Sequence, residues 1–504
     1  MHGMPTRFMQ RLFSGGTLLD DATKLDFTEE LELVLLPQAI PSHMQASELL
    51  TGARKGSFVE VESLLQQPLN PDIGDRFSRT PLMHASEHGH ISILQLLLEA
   101  GADKELRDCD GKTGLMIACF RGQAEVARLL LEASADKDSV DNSGSTALFG
   151  ASSVGHSEVV RLLLGSGADK DVANKTGTTA LMRASENGQT EVACLLLKAG
   201  VLKDAADRTG ATALMRASEG GHLGVTRLLL EAGADKDLAD HDGDTPLMRA
   251  SANNHIEVMH CLLEAGANKD QATSDGTTAL MQTSCNGNLE VLRFLLEAAA
   301  DSNLARNDGQ TALILASRRD HFEVLRLLLE AGAGKDLADN IGATAVIHAS
   351  GRGHIEALRV LLQAAADSNL ARNDGKTALM MASRSGAVDV AHLLLKAGSD
   401  KDSADTNGIT ALMWAADHGR VEVLRLLLEA GASKDLADGI GATAMIHASG
   451  RGHIEVVRML LEAAADSSLA TNDGRTALMM APSRHKIEVA DLLLEVGDGG
   501  SADT

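Results

Sequence analysis

The chain has 504 residues, a formal net charge of −24, and 44% hydrophobic but only 2% aromatic residues. A general nucleic-acid binder needs an excess of Lys and Arg to displace counterions, so this charge argues against that class and against an anionic membrane surface. The five cysteines have neither disulfide-framework nor zinc spacing, and no secretory segment or membrane-spanning apolar run is recognisable, which together predict a protein of the cytoplasm or nucleus without membrane insertion.

The N-terminal segment differs in character from the rest of the chain. Residues 9–36 begin Met-Gln-Arg-Leu-Phe-Ser-Gly-Gly-Thr-Leu-Leu-Asp-Asp and end Leu-Glu-Leu-Val-Leu-Leu. This resembles the C-terminal half of a ubiquitin-like domain, which implies that Phe13 lies where ubiquitin has its recognition-patch isoleucine and Thr17 where it has a chain-linking lysine. Pro37 follows the last strand and there is no Gly-Gly tail, so conjugation is not expected. Residues 1–45 are therefore interpreted as a partial ubiquitin-like segment and linker, a truncated β-grasp-like element.

Beyond this segment a threonine recurs at a constant interval of 33 residues, without insertion or deletion. The series is Thr80, Thr113, Thr146, Thr179, Thr212, Thr245, Thr278, Thr311, Thr344, Thr377, Thr410, Thr443 and Thr476. One such unit cannot bury its own apolar face, so the units must stack as a solenoid in which each contacts its neighbours. Segments 340–395 and 439–494 share long identical stretches three units apart, which indicates that a block of units was copied.

Each unit has the pattern of two short helices and a turn. The Thr is expected to cap the first helix, with Ala or Pro after it, and a Gly nine residues on, such as Gly89, to end that helix. A Leu-rich second helix ends at another Gly, such as Gly233, before the turn Asp-x-x-Gly-x-Thr. The residues that replace this second glycine are Ser134, Ala299, Ala365 and Ala464. We expect strain at these four junctions because a non-glycine residue must adopt positive φ there.

The unit Asp-x-x-Gly-x-Thr-Ala-Leu-Met-x-Ala-Ser is similar to the ankyrin repeat. The resemblance implies an all-α repeat solenoid of about fourteen helix-turn-helix repeats with β-hairpin-like loops, which binds other proteins on a concave face of hairpin tips and first helices. It predicts a degenerate capping repeat at 46–74, an array of 13 repeats at 75–497 and a disordered tail at 498–504. Nine repeats have Met where the family favours His, so that histidine's hydrogen bonds are expected to be absent and a flexible thioether to fill the space.

Patterns that could suggest catalysis fit the repeat better. Two Gly-Lys-Thr triplets resemble part of a phosphate loop, but Leu106 and Leu370 stand where its first glycine is needed. His84 and His88 have helical spacing, yet no carboxylate or cysteine clearly completes a metal site. No Ser-His-Asp or Cys-His arrangement departs from the repeat pattern. We therefore expect no enzymatic activity, no cofactor and no metal.

The candidate partner-binding residues occupy the expected concave positions, which flank the turn glycine or follow the Thr by four, seven or eight residues. They are Arg76, Phe77, Phe120, Arg121, Arg318, Arg319, Arg352, Met381, Arg384, Trp414, Arg451 and Arg484. In the middle repeats, Arg183 and Arg216 have a Glu three residues further on and are interpreted as solvated helix pairs. The late arginines have no acid in their own short helices, and Arg and aromatic residues are favoured at interface hot spots.

The main interpretation is a monomeric scaffold that binds acidic or carboxylate-bearing protein segments along a basic and apolar inner face. The alternative is a substrate-recruiting adaptor in ubiquitin signalling, in which the N-terminal segment recruits a receptor and the repeats select the substrate. An enzyme would need a catalytic domain beyond these 504 residues.

Overall fold

The computed structural model describes residues 10–14, 17–18, 31–35, 43–67 and 69–498. Residues 499–504 of the tail predicted at 498–504, and residues 19–30 of the predicted ubiquitin-like segment, lie outside the described residues, whereas Asp498 ends the last helix. The chain divides into two compact units, Met1–Ala267 and Asn268–Thr504.

Three short strands precede the helices: β1 (Gln10–Ser14), β2 (Thr17–Leu18) and β3 (Leu31–Leu35). They form an antiparallel sheet in the order β2-β1-β3, with Phe13 opposite Leu18 on one side and Glu32 on the other. The resemblance of this segment to a ubiquitin-like domain stays a prediction.

In the first unit the helices come in consecutive pairs, a first helix with an odd number and a second helix with an even number. Their bounds are α1 His43–Lys55, α2 Phe58–Leu65, α3 Pro81–His88, α4 Ile91–Glu99, α5 Gly114–Phe120, α6 Ala124–Glu132, α7 Ala147–Val154, α8 Ser157–Gly165, α9 Ala180–Glu186, α10 Thr190–Lys198, α11 Ala213–Glu219, α12 Leu223–Glu231, α13 Pro246–Ala252 and α14 Ile256–Glu264. First helices pack against first helices of the neighbouring pairs, and second helices pack against second helices. The predicted helical solenoid is confirmed in this unit.

The second unit continues the same pattern. Its helices are α15 Ala279–Asn286, α16 Leu289–Glu297, α17 Ala312–Ser317, α18 Phe322–Glu330, α19 Ala345–Arg352, α20 Ile355–Gln363, α21 Ala378–Ser385, α22 Val388–Lys396, α23 Ala411–Asp417, α24 Val421–Glu429, α25 Ala444–Arg451, α26 Ile454–Glu462, α27 Ala477–Met480 and α28 Lys486–Asp498. Isolated antiparallel bridges, such as Ala272 with Thr278, close the loops between the pairs. The loops are therefore hairpin-like, as the repeat pattern predicts.

The repeated threonines cap the first helices. In most units the Thr hydroxyl accepts a hydrogen bond from the backbone N–H three residues later, for example from Phe149 to Thr146 at 3.2 Å. This bond satisfies one of the four N–H groups that a helix leaves free at its start. Thr443 and Thr476 begin their helices with the same extended backbone but make no such bond.

The methionines that follow these threonines do more than fill space. In three units the sulfur accepts the backbone N–H of the capping Thr, at 3.4 Å for Met83 and at 3.5 Å for Met182 and Met413. We expected the thioether only to fill the space of the histidine, and this was incomplete. The buried sulfur is also a weak acceptor for the backbone N–H of the capping Thr.

Neighbouring repeats are joined by hydrogen bonds as well as by apolar packing. The His156 ring is hydrogen-bonded to the Phe120 carbonyl, 36 residues earlier, at 3.1 Å. The Asp169 backbone N–H donates to the Asp138 carboxylate, 31 residues earlier, at 2.8 Å. Equivalent bonds recur along both units, such as Asp367 to Asp336 at 2.8 Å. The separation of these partners follows from the constant interval of 33 residues.

The four predicted junctions have the strained backbone. The φ angles are 60° at Ser134, 57° at Ala299, and 56° at both Ala365 and Ala464. Glycine occupies the same place at Gly332, with φ 86°. A Cβ built on Gly332 meets nothing within 4 Å, so the penalty for a side chain at this position lies in the backbone conformation and not in crowding.

Replacing Ala299 or Ala365 by Gly should stabilise the junction by about 1 kcal/mol, because glycine adopts positive φ without the steric penalty. Amide hydrogen exchange of the preceding second helix, measured on the full chain, should slow by roughly fivefold. The matched control is Gly332→Ala, which should accelerate exchange near its own junction. Unchanged exchange in all three variants would show that these junctions carry no strain.

Candidate protein-binding surfaces

An aspartate organises the hairpin turn before many first helices. One carboxylate oxygen of Asp207 accepts the backbone N–H groups of Thr209 at 2.8 Å and Ala211 at 3.1 Å. Its other oxygen accepts from Arg216 at 2.6 Å. Burial of the Asp207 carboxylate raises its pKa, but the hydrogen bonds from Thr209, Arg216 and the backbone lower the pKa to about 2. The turn is thus tied to a side chain on the first helix.

The same link recurs with either Arg or His on the helix. Arg249 is bonded to Asp240, and the histidines pair at 3.1 Å (His84–Asp75), 2.8 Å (His348–Asp339) and 2.9 Å (His447–Asp438). The partners are always nine residues apart. Arg216 also contacts Glu219 at 3.4 Å, as the helical spacing predicted, but its bond to Asp207 is shorter. The nine-residue Asp-to-Arg/His interval was the available sequence signal for this pairing.

Of the early candidates, Phe77 and Phe120 are about half exposed, at 47% and 48%. The guanidinium carbon of Arg76 lies 4.7 Å from the centre of the Phe77 ring, and that of Arg121 lies 5.9 Å from the centre of the Phe120 ring. Arg121 also forms an ion pair with Glu87 of the preceding repeat at 2.6 Å. Burial raises the pKa of Glu87, but the hydrogen bond from Arg121 and the charge of Arg79 outweigh it and lower that pKa. Arg121 is therefore neutralised locally.

Three of the late arginines lie near one another. Burial and the positive charges of Arg318 and Arg319 lower the pKa of Arg352. Burial also lowers the pKa of His348, against its bond to Asp339, and the charges of Arg318 and Arg352 add to that lowering. Arg318 donates a hydrogen bond to the neutral Gln310 amide. The charges of Arg318 and Arg319 thus act against the positive charge of Arg352.

Two cationic side chains, Lys376 and Arg384, lie over the Trp414 ring. The Lys376 ammonium lies 5.3 Å and the Arg384 guanidinium carbon 5.5 Å from the ring centre. Such cation–π contacts contribute about 0.5–1 kcal/mol each at exposed sites. Trp414 and Met381 are both half-buried on first helices.

Within the part of the chain that the structure describes, no acidic side chain forms an ion pair with Arg318, Arg319, Arg352 or Arg384.

Arg451, unlike these four arginines, has an acidic partner. It forms an ion pair with Asp417 of the preceding repeat at 2.8 Å, which raises the pKa of Arg451. The pair repeats the geometry of Arg121 with Glu87, since the partners are 34 residues apart in both cases. These acidic partners lie in the preceding repeat, so a search for acids within the same helix does not find them. The sequence signal is an acid seven residues after one repeat Thr together with an Arg eight residues after the next repeat Thr. Arg484 is exposed near the last described helix.

A family model described as "Ankyrin repeats (3 copies)" matches residues 49–141, 133–207, 200–273, 247–339, 331–405 and 412–503. The chain belongs to the ankyrin-repeat family. Among solved structures, the chain is similar to the ankyrin repeat domain of Bcl-3, described as a unique member of the IkappaB protein family. The identity is 33%, the match covers 43% of this chain and 100% of that chain, and the TM-score is 0.40. No curated protein matches the sequence.

Ankyrin repeats are generally modules of protein–protein interaction and are typically not enzymes. In this ankyrin chain, the described residues contain no group of three or more His, Cys, Asp or Glu side chains placed to hold a metal ion. Among the same described residues, no helix is long and apolar enough to cross a membrane.

The Asp207 link predicts a pH dependence of local stability. Its folded-state pKa of about 2 lies below the unfolded value of about 3.9, so its stabilising effect is complete above that unfolded value and is lost as the pH falls toward 2. We expect amide protection of α11 to decline in this window, and Asp207→Asn to lower the protection at neutral pH while flattening the decline. The exposed Glu231→Gln change is the control. A decline of equal size in the Asp207→Asn protein would contradict the assignment.

Proposed function

We propose that this ankyrin chain is a protein-interaction scaffold that binds an acidic segment of a partner on its late repeats. The proposed binding surface, called the late cationic surface, consists of Arg318, Arg319, Arg352 and Arg384 with Trp414. The observation that supports it most is the lack of acidic partners for these four arginines within the described residues, in a chain with a net charge of −24.

The electrostatics favour a carboxylate ligand. The positive charges of Arg318 and Arg319 disfavour the charged form of Arg352, so these side chains are held together at a cost in the free protein, and a bound carboxylate relieves that repulsion. Charged rims act mainly on the association rate and on the choice of partner. An Arg guanidinium also accepts a carboxylate in a bidentate manner, which gives the contact a defined orientation.

Apolar groups beside the arginines provide the second part of the recognition. Ile341 is 48% exposed on a hairpin tip, and Trp414 and Met381 lie half-buried on first helices. Aromatic and Arg side chains dominate the binding energy of many interfaces because they bury large areas at few rotatable bonds. The ligand that fits best is a segment in which acidic residues alternate with apolar ones.

The arginines of the second helices in this unit are different, because acids on the same helix pair with them. Arg326 contacts Glu323 at 3.3 Å, Arg359 contacts Glu356 at 3.4 Å and Arg425 contacts Glu422 at 3.5 Å. Surface pairs of this kind contribute little to stability, but they cancel charge locally. This contrast supports the first-helix side as the place where an acidic segment binds.

Reversing three charges on the late cationic surface should abolish this binding. The variant Arg319→Glu, Arg352→Glu, Arg384→Glu of the full chain is compared with the original for binding of a fluorescein-labelled peptide, Asp-Glu-Leu-Asp-Phe-Glu-Asp-Leu. Fluorescence anisotropy should show at least about a tenfold loss of affinity, because attraction becomes repulsion at three positions. The helical circular-dichroism signal should not change, since none of the three residues is buried.

The matched control reverses Arg326, Arg359 and Arg425 to Glu, which changes the net charge by the same amount on the second helices. That control should keep most of the affinity and lose only the long-range contribution, which salt screens. Equal losses in the two triple variants would reduce the effect to overall charge and would contradict a localised surface. Unchanged binding in the first variant would contradict it as well.

A second candidate function is that of a substrate-recruiting adaptor in ubiquitin signalling. It is supported by the sequence resemblance of residues 9–36 and by the pairing of β1 with β2 and β3. The test is binding of an isolated ubiquitin-binding domain to the full chain and to a Phe13→Ala variant. Binding that is lost in this variant favours the adaptor. No binding to the original chain removes this candidate and leaves the scaffold proposal intact.

The proposal includes a monomeric chain. Ankyrin arrays bury their apolar faces within the stack, so self-association is not needed for folding. Sedimentation equilibrium of the full chain should give the mass of one chain, 52.8 kDa, over the concentration range of the binding experiments. A stable dimer would contradict this part of the proposal.

A further inference from the structure

Two boundaries between repeats show how this chain neutralises an arginine at the end of a first helix. The arginine lies eight residues after its repeat Thr, and its acidic partner lies seven residues after the preceding repeat Thr. Arg121 contacts Glu87 at 2.6 Å in this way, and Arg451 contacts Asp417 at 2.8 Å. The register of the stack therefore brings these two positions of neighbouring repeats together.

At the boundary between the packed helices α17 and α19, the same two positions are occupied by Arg318 and Arg352, which we call the facing arginines. Burial lowers the pKa of Arg352, and the positive charge of Arg318, followed by that of Arg319, lowers it further. Burial also lowers the pKa of His348 against its bond to Asp339, and both facing arginines add to that lowering. A second cation thus occupies the position that elsewhere supplies the neutralising acid.

Acids on the flanking loops have other partners. The Asp339 carboxylate is bonded to the His348 ring at 2.8 Å, and the Asp308 carboxylate accepts from the Gln310 amide at 2.9 Å. The Asp320 carboxylate accepts a backbone N–H of helix α20 at 3.3 Å. The facing arginine at the end of α17 donates to the Gln310 amide, which is neutral. Within the described residues, neither facing arginine has an acidic partner.

A phosphate monoester matches two opposed guanidinium groups better than a carboxylate does. A carboxylate has one negative charge and two oxygens, which a single guanidinium satisfies in a bidentate manner. A phosphorylated side chain carries a charge of about −1.5 to −2 at neutral pH and has three acceptor oxygens, so it accepts from two guanidinium groups at once. Ile341, 48% exposed on the hairpin tip of the Arg352 repeat, offers an apolar contact to a protein segment and none to a free phosphate ion.

We propose that the facing arginines bind the phosphate group of a phosphoserine or phosphothreonine in a partner segment. The phosphate takes the place that the acid occupies at the Arg121 and Arg451 boundaries, and it bridges the two guanidinium groups. The inference rests on the proposed function, because the facing arginines belong to the late cationic surface, and it names phosphorylation as the signal that this part of the surface recognises.

The test restores at this boundary the pair that the chain uses elsewhere. Arg318→Glu places an acid opposite Arg352, as Glu87 stands opposite Arg121, so the thermal midpoint should stay equal or rise. The control Arg359→Glu makes the same change of charge on the exposed face of helix α20. The probes are the fluorescein-labelled peptide Ala-Leu-Ala-phosphoserine-Ala-Leu-Ala and the same peptide with Ser or Glu in place of phosphoserine. Fluorescence anisotropy is measured on the full chain.

We expect the original chain to bind the phosphoserine peptide at least about tenfold more tightly than the Ser peptide, because charge-assisted hydrogen bonds to two guanidinium groups are gained. The Glu peptide should bind with an affinity between the two. Arg318→Glu should remove the preference for phosphoserine, Arg352→Gln should reduce it, and Arg359→Glu should keep it. The side-chain Nε–Hε NMR signal of Arg352 should shift with the phosphoserine peptide and not with the Ser peptide.

Three results would overturn the phosphate assignment. The first is equal affinity for the phosphoserine and Glu peptides, and the second is an undiminished preference for phosphoserine in Arg318→Glu. The third is inorganic phosphate that binds as tightly as the phosphoserine peptide, because the site would then recognise a free anion and not a protein segment. The proposed function is judged separately, by the unphosphorylated acidic peptide and the two triple-charge variants, so its failure is distinguishable from failure here.

Discussion

Many of the described repeats of this protein are completed by hydrogen bonds that a neighbour in the same unit supplies. The carbonyl at the end of one first helix, such as that of Phe120, bonds to the His156 ring of the next repeat, and the Asp138 carboxylate holds the backbone of the following loop. A repeat alone would leave these groups unpaired and its apolar face in water. These bonds require the constant interval of 33 residues, because an insertion or deletion of one residue would move the donors away from their acceptors.

Because these bonds and the apolar packing stabilise the stack, a few positions on the first helices can differ between repeats without destabilising the fold. The residue four after the Thr illustrates this. As Arg216 or His348 it bonds to the turn aspartate, as Trp414 it presents an aromatic face to cations, and as Gly150 it lines a surface pocket beside Phe120. The residue eight after the Thr varies in another way. There the Arg451 guanidinium pairs with an acid of the preceding repeat, whereas Arg352 has no acidic partner within the described residues.

The sequence allowed prediction of the fold, the Thr caps and the four strained junctions, since each depends on a local pattern that recurs. Ala365 shows this well, because its neighbours alone indicate positive φ. The sulfur bond of Met83 and the partner of Arg451 could not be predicted in the same way. Each depends on which side chain faces another across a turn or across a repeat boundary, and one helix read by itself does not contain that information.

The copied block in the late repeats has a consequence for inheritance. Because equivalent bonds recur at many of the described boundaries within each unit, unequal recombination that removes or adds one whole unit in frame brings together surfaces that already carry similar bonding partners. We expect such alleles to fold, with different surfaces. Loss of the unit that contains Arg352 would make the repeats of Arg319 and Arg384 direct neighbours and change the spacing of the charges presented to a partner. Gene-level copying can thus produce new binding surfaces in this protein without new point mutations.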